Sequence, residues 1–390
     1  MDKKELVLYI LIVLVSIYAI LLRGQKSQLK IDRLLAVNSS QNYVVMSCSA
    51  PEKTEKPYHI SYIFYLPITA AVWHSFGYDV FIVLTGPSET WKNDLMPSLV
   101  IDYLRNLSYV QIHFLNCNQT ESVLLAQVSR LLAPNFLPNL QPNDFLISTD
   151  VDFWPTQNSY LQRPPSTDIH ITSPLQNHYK GCCYRYVASS CVGMKARVWN
   201  DVINFNDVKS GVSPYSGSRA MVGFDNPFNN RRTVAKLDTP NKIFEYLETE
   251  FGKTVVHQSS HKNKGKESML EVAQRNVTER TWFLDQILIS KRLAQYIYRN
   301  GDAYVYFSQK PDKINRISRG KNFTFRNMEK VPLEKTSAHL PLSSFLPPQW
   351  KAVLKLFSMV VEDDKLIEWV QRYRDDFCDK YLYEYKNRPR

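Results

Sequence analysis

Residues 143–155 read NDFLISTDVDFWP, and the rest of the chain is best understood outward from this stretch. An apolar run, Phe145-Leu146-Ile147, leads through Ser148-Thr149 to two aspartates, Asp150 and Asp152, with one residue between them. A short apolar run bounded by polar residues suits a strand buried on both faces, as parallel sheets require. Ligands of open parallel sheets bind beyond the carboxyl ends of the strands, so two carboxylates here stand where a site belongs. On extended chain, carboxylates separated by one residue share a hard divalent cation such as Mn²⁺ or Mg²⁺, and that ion in turn neutralises a diphosphate. Against this, a D-x-D triplet arises about once by chance in a chain with this much Asp. The apolar strand before it, and Phe153, Trp154 and Pro155 after it, favour the site.

Outward from this stretch, strand and helix patterns alternate. His59–Tyr65 is aromatic and β-branched and predicts a strand. Pro67 suits the first position of a helix carrying Ala70, Ala71 and Trp73, which Gly77 stops. Tyr78–Thr85 (YDVFIVLT) predicts a buried strand, residues around Leu95, Leu99 and Leu104 a helix, and Tyr109–Leu115 a strand. Leu124, Leu125, Val128, Leu131 and Leu132 have helical spacing. Further on, Arg185–Val192 reads as strand, Lys195–Phe205 as helix, Trp282–Ile297 as helix and Ala303–Phe307 as strand. Residues 206–268 read as irregular and polar, including the cationic stretch His257–Lys266. Such alternation implies βαβ units, hence an α/β fold with a mostly parallel sheet flanked by helices over residues 58–345. Two amphipathic patterns, one through Val353, Leu354, Phe357 and Val360 and one through Leu366, Val370, Tyr373 and Phe377, make residues 346–390 a helical C-terminal extension.

The chain has 390 residues, 44% hydrophobic and 22% charged, which excludes a disordered chain. One stretch alone is apolar enough to span a bilayer, which excludes a multi-span protein. That stretch, residues 6–22 (LVLYILIVLVSIYAILL), covers about 25 Å as a helix, near the lower limit for a membrane span. Its bulky end is a poor cleavage site, so it reads as an uncleaved signal-anchor after a tail of residues 1–5. Residues 23–57 are polar without sustained period and read as a stem. Five N-x-[ST] sequons (Asn38, Asn106, Asn118, Asn276, Asn322) and an even number of cysteines (Cys48, Cys117, Cys182, Cys183, Cys191, Cys378) suit a lumenal body. The net charge of +11 suits an anionic partner, but nucleic acid would rest on that charge alone. No P-loop, no G-x-S-x-G elbow and no H-E-x-x-H motif is present.

On Thr149–Pro155 (TDVDFWP), the chain resembles GT-A-fold, D-x-D-containing type II membrane glycosyltransferases of the secretory pathway. Supporting segments are YLPITAAVWHSFGYDVFIVLTG (65–86), VASSCVGMKA (187–196) and WFLDQIL (282–288). The resemblance spans roughly residues 58–345. It implies a Rossmann-like GT-A fold, a nucleotide-sugar donor (most often UDP-linked), a glycan or glycoprotein acceptor, and Mn²⁺ or Mg²⁺ held by Asp150 and Asp152. His339 then stands where such enzymes bring a late His onto the metal; otherwise it is a surface-loop His. Asp285 becomes an acceptor-side carboxylate acting as general base, or else a solvated Asp favoured in a first helical turn. Arg316 and Arg319 can meet the diphosphate, or lie solvated in a basic loop. The expected setting is a Golgi or endoplasmic reticulum membrane, with one N-terminal span, a lumenal catalytic domain and no nucleic-acid partner. Two other readings stay open: a silent relative that binds without turnover, and a metal-dependent phosphohydrolase, which Phe153-Trp154 after the D-x-D disfavours.

Overall fold

The computed structural model describes residues 40–51, 58–172, 174–178, 185–203, 236–251, 255–256, 266–267, 284–300, 304–307, 316–319, 323–328, 337–342, 344–347 and 349–386. Its first strand corrects the stem reading of residues 23–57. Asn42–Ser49 (NYVVMSCS) is strand β1, and it lies inside the main sheet rather than ahead of it. Its four-residue apolar run between polar neighbours is too short to announce a central strand, yet Val44, Val45 and Met46 are fully buried.

The other strands, in chain order, are β2 (Asp79–Gly86), β3 (Val110–Asn116), β4 (Phe145–Ser148), β5 (Phe153–Pro155), β6 (Ile169–Ile171), β7 (Pro174–His178), β8 (Arg185–Val187), β9 (Val192–Lys195), β10 (Val255–Val256), β11 (Lys266–Glu267), β12 (Val305–Phe307), β13 (Arg316–Ile317) and β14 (Ser337–His339). Seven form the main sheet in the order β12-β6-β9-β4-β1-β2-β3. Strand β1 runs parallel to β2 and β4, β2 to β3, and β12 to β6. Strand β9 alone runs antiparallel to its neighbours β4 and β6. The expected mixed α/β architecture, with a mostly parallel sheet flanked by helices, is therefore present. Close approach of β9 to β4 depends on Gly193, where an added Cβ would fall 2.6 Å from a ring carbon of Phe145. A second, three-stranded sheet in the order β13-β14-β5 stands beside the main one and organises the site.

Period-two alternation sends the side chains of the main sheet into two cores. Val44, Met46, Val80, Ile82, Phe145 and Ile147 join the helices Tyr58–Ser75, Leu95–Arg105, Gln349–Val360 and Asp364–Lys386 on one face. Tyr43, Val45, Phe81, Val83 and Leu146 join Gln119–Ser129, Ala196–Ile203, Pro240–Phe251 and Leu284–Arg299 on the other. Both faces being covered explains why β2 and β4 read as near-continuous apolar runs.

Three further readings change. The strand expected at His59–Tyr65 is the first part of one helix, Tyr58–Ser75, with Pro67 inside it. That helix is apolar on every side, and from Ile63 to Trp73 it is buried throughout, so tertiary packing overrides the β-propensity of its aromatic and β-branched residues. The ring of Phe64 stacks on Tyr373 at 5.5 Å and meets Phe345, Trp350 and Phe377. Through these contacts the two C-terminal helices share the core of the body, so residues 346–390 are not an appendage. Within 206–268, expected to be irregular, Pro240–Phe251 is helical. Among the described residues, Cys48, Cys117 and Cys378 carry free thiols, and no helix is long and apolar enough to cross a membrane. The span expected at residues 6–22 lies outside the described residues, as do Cys182, Cys183 and most of the cationic stretch 257–266.

Candidate metal centre

At the carboxyl edge of the main sheet the chain leaves β4 with the Thr149 N–H still bonded to Val45 of β1, at 2.9 Å. It then turns. The Phe153 N–H donates to the Asp150 carbonyl at 3.2 Å, so Asp150 and Asp152 flank a tight turn and not the extended segment the spacing predicts. The aromatic residues after the turn explain the difference. Phe153 and Trp154 are buried, and β5 pairs antiparallel with β14, setting Phe153 opposite His339. The Trp154 indole N–H donates to the Thr69 hydroxyl at 2.8 Å, and that hydroxyl donates to the Val151 carbonyl. The buried helix Tyr58–Ser75 thereby pins the backbone between the two aspartates. The Asp152 carbonyl accepts from the Leu340 N–H at 2.8 Å, which ties the turn to the end of β14 from its other side.

These ties bring Asp150, Asp152 and His339 together, with one ligand atom from each within 4.8 Å of the others. The three come from two segments 187 residues apart in sequence, by the difference of 339 and 152, joined by the small sheet. His339 Nε2 lies 3.1 Å from Asp152 Oδ2, and Arg319 Nη1 donates to the same oxygen at 3.0 Å. Arg319 follows β13, which pairs parallel with β14, the strand that carries His339. Burial lowers the basicity of Arg319, but the Asp152 carboxylate and a hydrogen bond to the Tyr62 hydroxyl more than offset it. Tyr62 is pushed up to about 12 by burial and by the Asp152 charge. Cys48, at the end of β1, is also held well above the usual thiol range by burial and by Asp152, which keeps it a protonated, inert neighbour.

Asp150 has its other partner on the main-sheet side. Its carboxylate pairs with Arg130, whose second terminal nitrogen pairs with Asp285. Arg130 also donates to the Thr149 carbonyl at 3.2 Å and to the Ser189 hydroxyl at 2.9 Å, and Ser189 donates to Asp285 at 2.6 Å. Burial pushes the Asp150 carboxyl up, but the Arg130 charge and hydrogen bond, with smaller help from His339 and Ser190, hold it below the ordinary carboxylate value. Burial works against the charge of Arg130, and its two aspartates raise its basicity regardless.

Each expected site residue now has a place. Asp150, Asp152 and His339 converge, and Arg319 joins them through Asp152. Asp285 is not a solvated first-turn Asp: it is 1% exposed. One of its oxygens accepts from Arg130 and Ser189 and the other from the Gln286 N–H. Arg316 lies on β13 opposite Ser337, with its Nε lacking a hydrogen-bond partner among the described residues. Sequence reasoning missed Arg130, Ser189 and Tyr62. The signal for Arg130 was a lone cation inside the apolar run Leu124–Ala133, since a buried Arg needs an acidic partner.

Two carboxylates and one imidazole, with no thiolate, make a donor set that fits Mn²⁺ or Mg²⁺. No protein-family model matches the chain, and no curated protein matches it. Among solved structures, it is similar to the apo form of mouse xyloside xylosyltransferase 1, at a TM-score of 0.30 and 8% identity, with 77% of this chain and 96% of that chain covered.

Proposed function

We propose that this chain is a metal-dependent glycosyltransferase that moves a sugar from a nucleotide-sugar donor, UDP-linked by preference, to a glycan or glycoprotein acceptor. The observation that carries the reading is the convergence of Asp150, Asp152 and His339 at the carboxyl edge of a mostly parallel sheet. These three residues would hold Mn²⁺ or Mg²⁺, and such a cation supplies charge neutralisation for a diphosphate leaving group.

The chain's own residues do the rest. Thr69 and Leu340 fix the turn so that both carboxylates are presented without rearrangement. Arg319, on the solvent side of Asp152, is the guanidinium suited to a phosphate oxygen. Asp285 acts through Arg130: its two oxygens are engaged by fixed donors, so in this reading it positions Arg130 and Asp150 and does not take a proton from the acceptor. By the same reading the chain works in the lumen of the Golgi or endoplasmic reticulum, anchored through residues 6–22.

Thermal unfolding of the full chain with UDP or GDP, each with and without Mn²⁺, tests the proposal beside Asp152→Ala. A ligand specific to the folded state adds about 2.7 kcal/mol of stability at a hundred times its dissociation constant. The expected result is a rise that needs both UDP and Mn²⁺ and is absent from the variant. A folded wild type that responds to no combination of nucleotide and metal overturns the donor site.

A further inference from the structure

We propose that Arg319 is a displaceable counter-ion of Asp152: its guanidinium leaves the carboxylate when a divalent cation is taken up there, and becomes available to an anion that accompanies that cation. This rests on the metal-centre reading above. The argument starts from one atom, Asp152 Oδ2, which takes Arg319 at 3.0 Å and His339 at 3.1 Å. A guanidinium has five donors, no lone pair and a permanent positive charge, so beside that oxygen it binds no cation itself and opposes a cation's approach.

Burial decides which partner yields. Asp152 is 2% exposed and its main chain is tied to Leu340, whereas the Arg319 side chain is 37% exposed. Arg319 also has somewhere else to bond, because it already donates to the Tyr62 hydroxyl. Arg130 provides the contrast within the same site. It is buried and bonded to Thr149, Asp150, Ser189 and Asp285, so it has no route away from its carboxylates. Among the described residues, Asp150, Asp152 and Asp285 face the guanidinium groups of Arg130 and Arg319, and these five side chains together carry one net negative charge. A divalent cation overcompensates it, and the freed Arg319 adds to a positive field that draws an anion such as a diphosphate. Metal and anion then favour each other's binding, as linkage requires when each shifts the same side chain.

The experiment titrates the full chain with Mn²⁺ alone, following free Mn²⁺ by electron paramagnetic resonance, and then titrates UDP at saturating Mn²⁺. Wild type is compared with Arg319→Gln, which removes the charge but keeps a hydrogen-bonding group, and Arg319→Lys, which keeps the charge. Arg319→Gln is expected to bind Mn²⁺ about 1.5- to 5-fold more tightly, the range a partly exposed ion pair is worth, while UDP at saturating Mn²⁺ binds more weakly. Arg319→Lys should stay near wild type for Mn²⁺. Equal or weaker Mn²⁺ binding by Arg319→Gln overturns the displacement while leaving the metal centre standing. Equal tightening in Arg319→Lys overturns it too, because charge would then not be the cause. Absence of Mn²⁺ binding in folded wild type overturns both this inference and the metal centre beneath it.

Discussion

The two aspartates of the D-x-D segment lie two residues apart and live in different surroundings. Asp150 belongs to a buried network on the main sheet, with Arg130 9% exposed and Asp285 1% exposed at the side chain. Asp152 belongs to the small sheet, where its partners Arg319 and His339 reach solvent. Burial makes the first network rigid: Arg130 and Asp285 have lost their water, and removing either leaves the other stranded. Solvent makes the second exchangeable, since water or another cation can replace what departs. One turn of chain thus carries a fixed wall and a replaceable rim, and the candidate ligand atoms lie between them.

The largest expected effect tests the wall. Arg130→Met strands Asp285 and weakens Asp150, and should cost about 3–5 kcal/mol of stability, the usual consequence of breaking a buried pair from one side. Arg319→Met should change stability by no more than about 1 kcal/mol. Urea unfolding of both variants against wild type, with the slopes compared for equal compactness, reads the difference directly. Equal losses would erase the distinction between wall and rim.

Next in size is the ligand-linked stability. The rise of about 2.7 kcal/mol expected with UDP and Mn²⁺ at a hundred times the dissociation constant should vanish in Asp152→Asn. Asp285→Asn, beside the wall and outside the group that could hold a metal, should keep part of the rise despite a lower baseline. Loss of the whole rise in both variants would show that the two sides act as one unit.

Much of this architecture can be read in the residues, and what cannot has physical causes. Strands β2 and β4 announce themselves because burial on both faces requires unbroken apolar runs, as in Phe81–Leu84. Strand β1 does not, because Asn42, Ser47 and Ser49 interrupt it, and its place in the sheet comes from pairing with β2 and β4, which no local pattern encodes. The helix Tyr58–Ser75 looks like a strand because it carries strand-forming residues on every side, and only its burial under Phe345, Trp350 and Tyr373 makes a helix the better solution. Asp150 and Asp152 were legible as a pair from their position after β4. Convergence with His339 depends on the pairing of β5 with β14, a contact between distant segments. Arg130 was harder still: lying on a helical run, it looks like one polar break in an apolar face until Asp150 and Asp285 are brought to it.

A smaller effect tests what holds the turn between the two regions. Thr69→Val removes both the acceptor of the Trp154 indole N–H and the donor to the Val151 carbonyl, and keeps the side-chain shape. Leaving buried polar groups unsatisfied costs about 1–3 kcal/mol, and the variant should lose that much stability in urea. If the turn carries the metal centre as its geometry indicates, Mn²⁺ affinity should fall with it. Unchanged Mn²⁺ binding in a destabilised Thr69→Val would mean that β5 and β14 hold the carboxylates without help from the buried helix.

The smallest effect concerns acid, and it separates Arg130's two partners. The folded protein holds the Asp150 carboxyl below its ordinary value, chiefly because the Arg130 charge and hydrogen bond overcome the upward push of burial. A carboxyl whose folded value is depressed contributes stability that is present above its unfolded value, near 3.9, and lost as pH falls through the lower folded one. Wild-type stability should therefore decline on acidification in that window, while Asp150→Asn declines less steeply there and runs parallel to wild type above about pH 5. Asp150 is one-third exposed at its side chain, so solvent screening keeps the difference in slope small, and slopes, not absolute stabilities, are the quantity to compare. Parallel acid limbs in the two proteins would mean that Arg130 spends its charge on Asp285 alone, leaving Asp150 on the rim with Asp152 rather than in the wall.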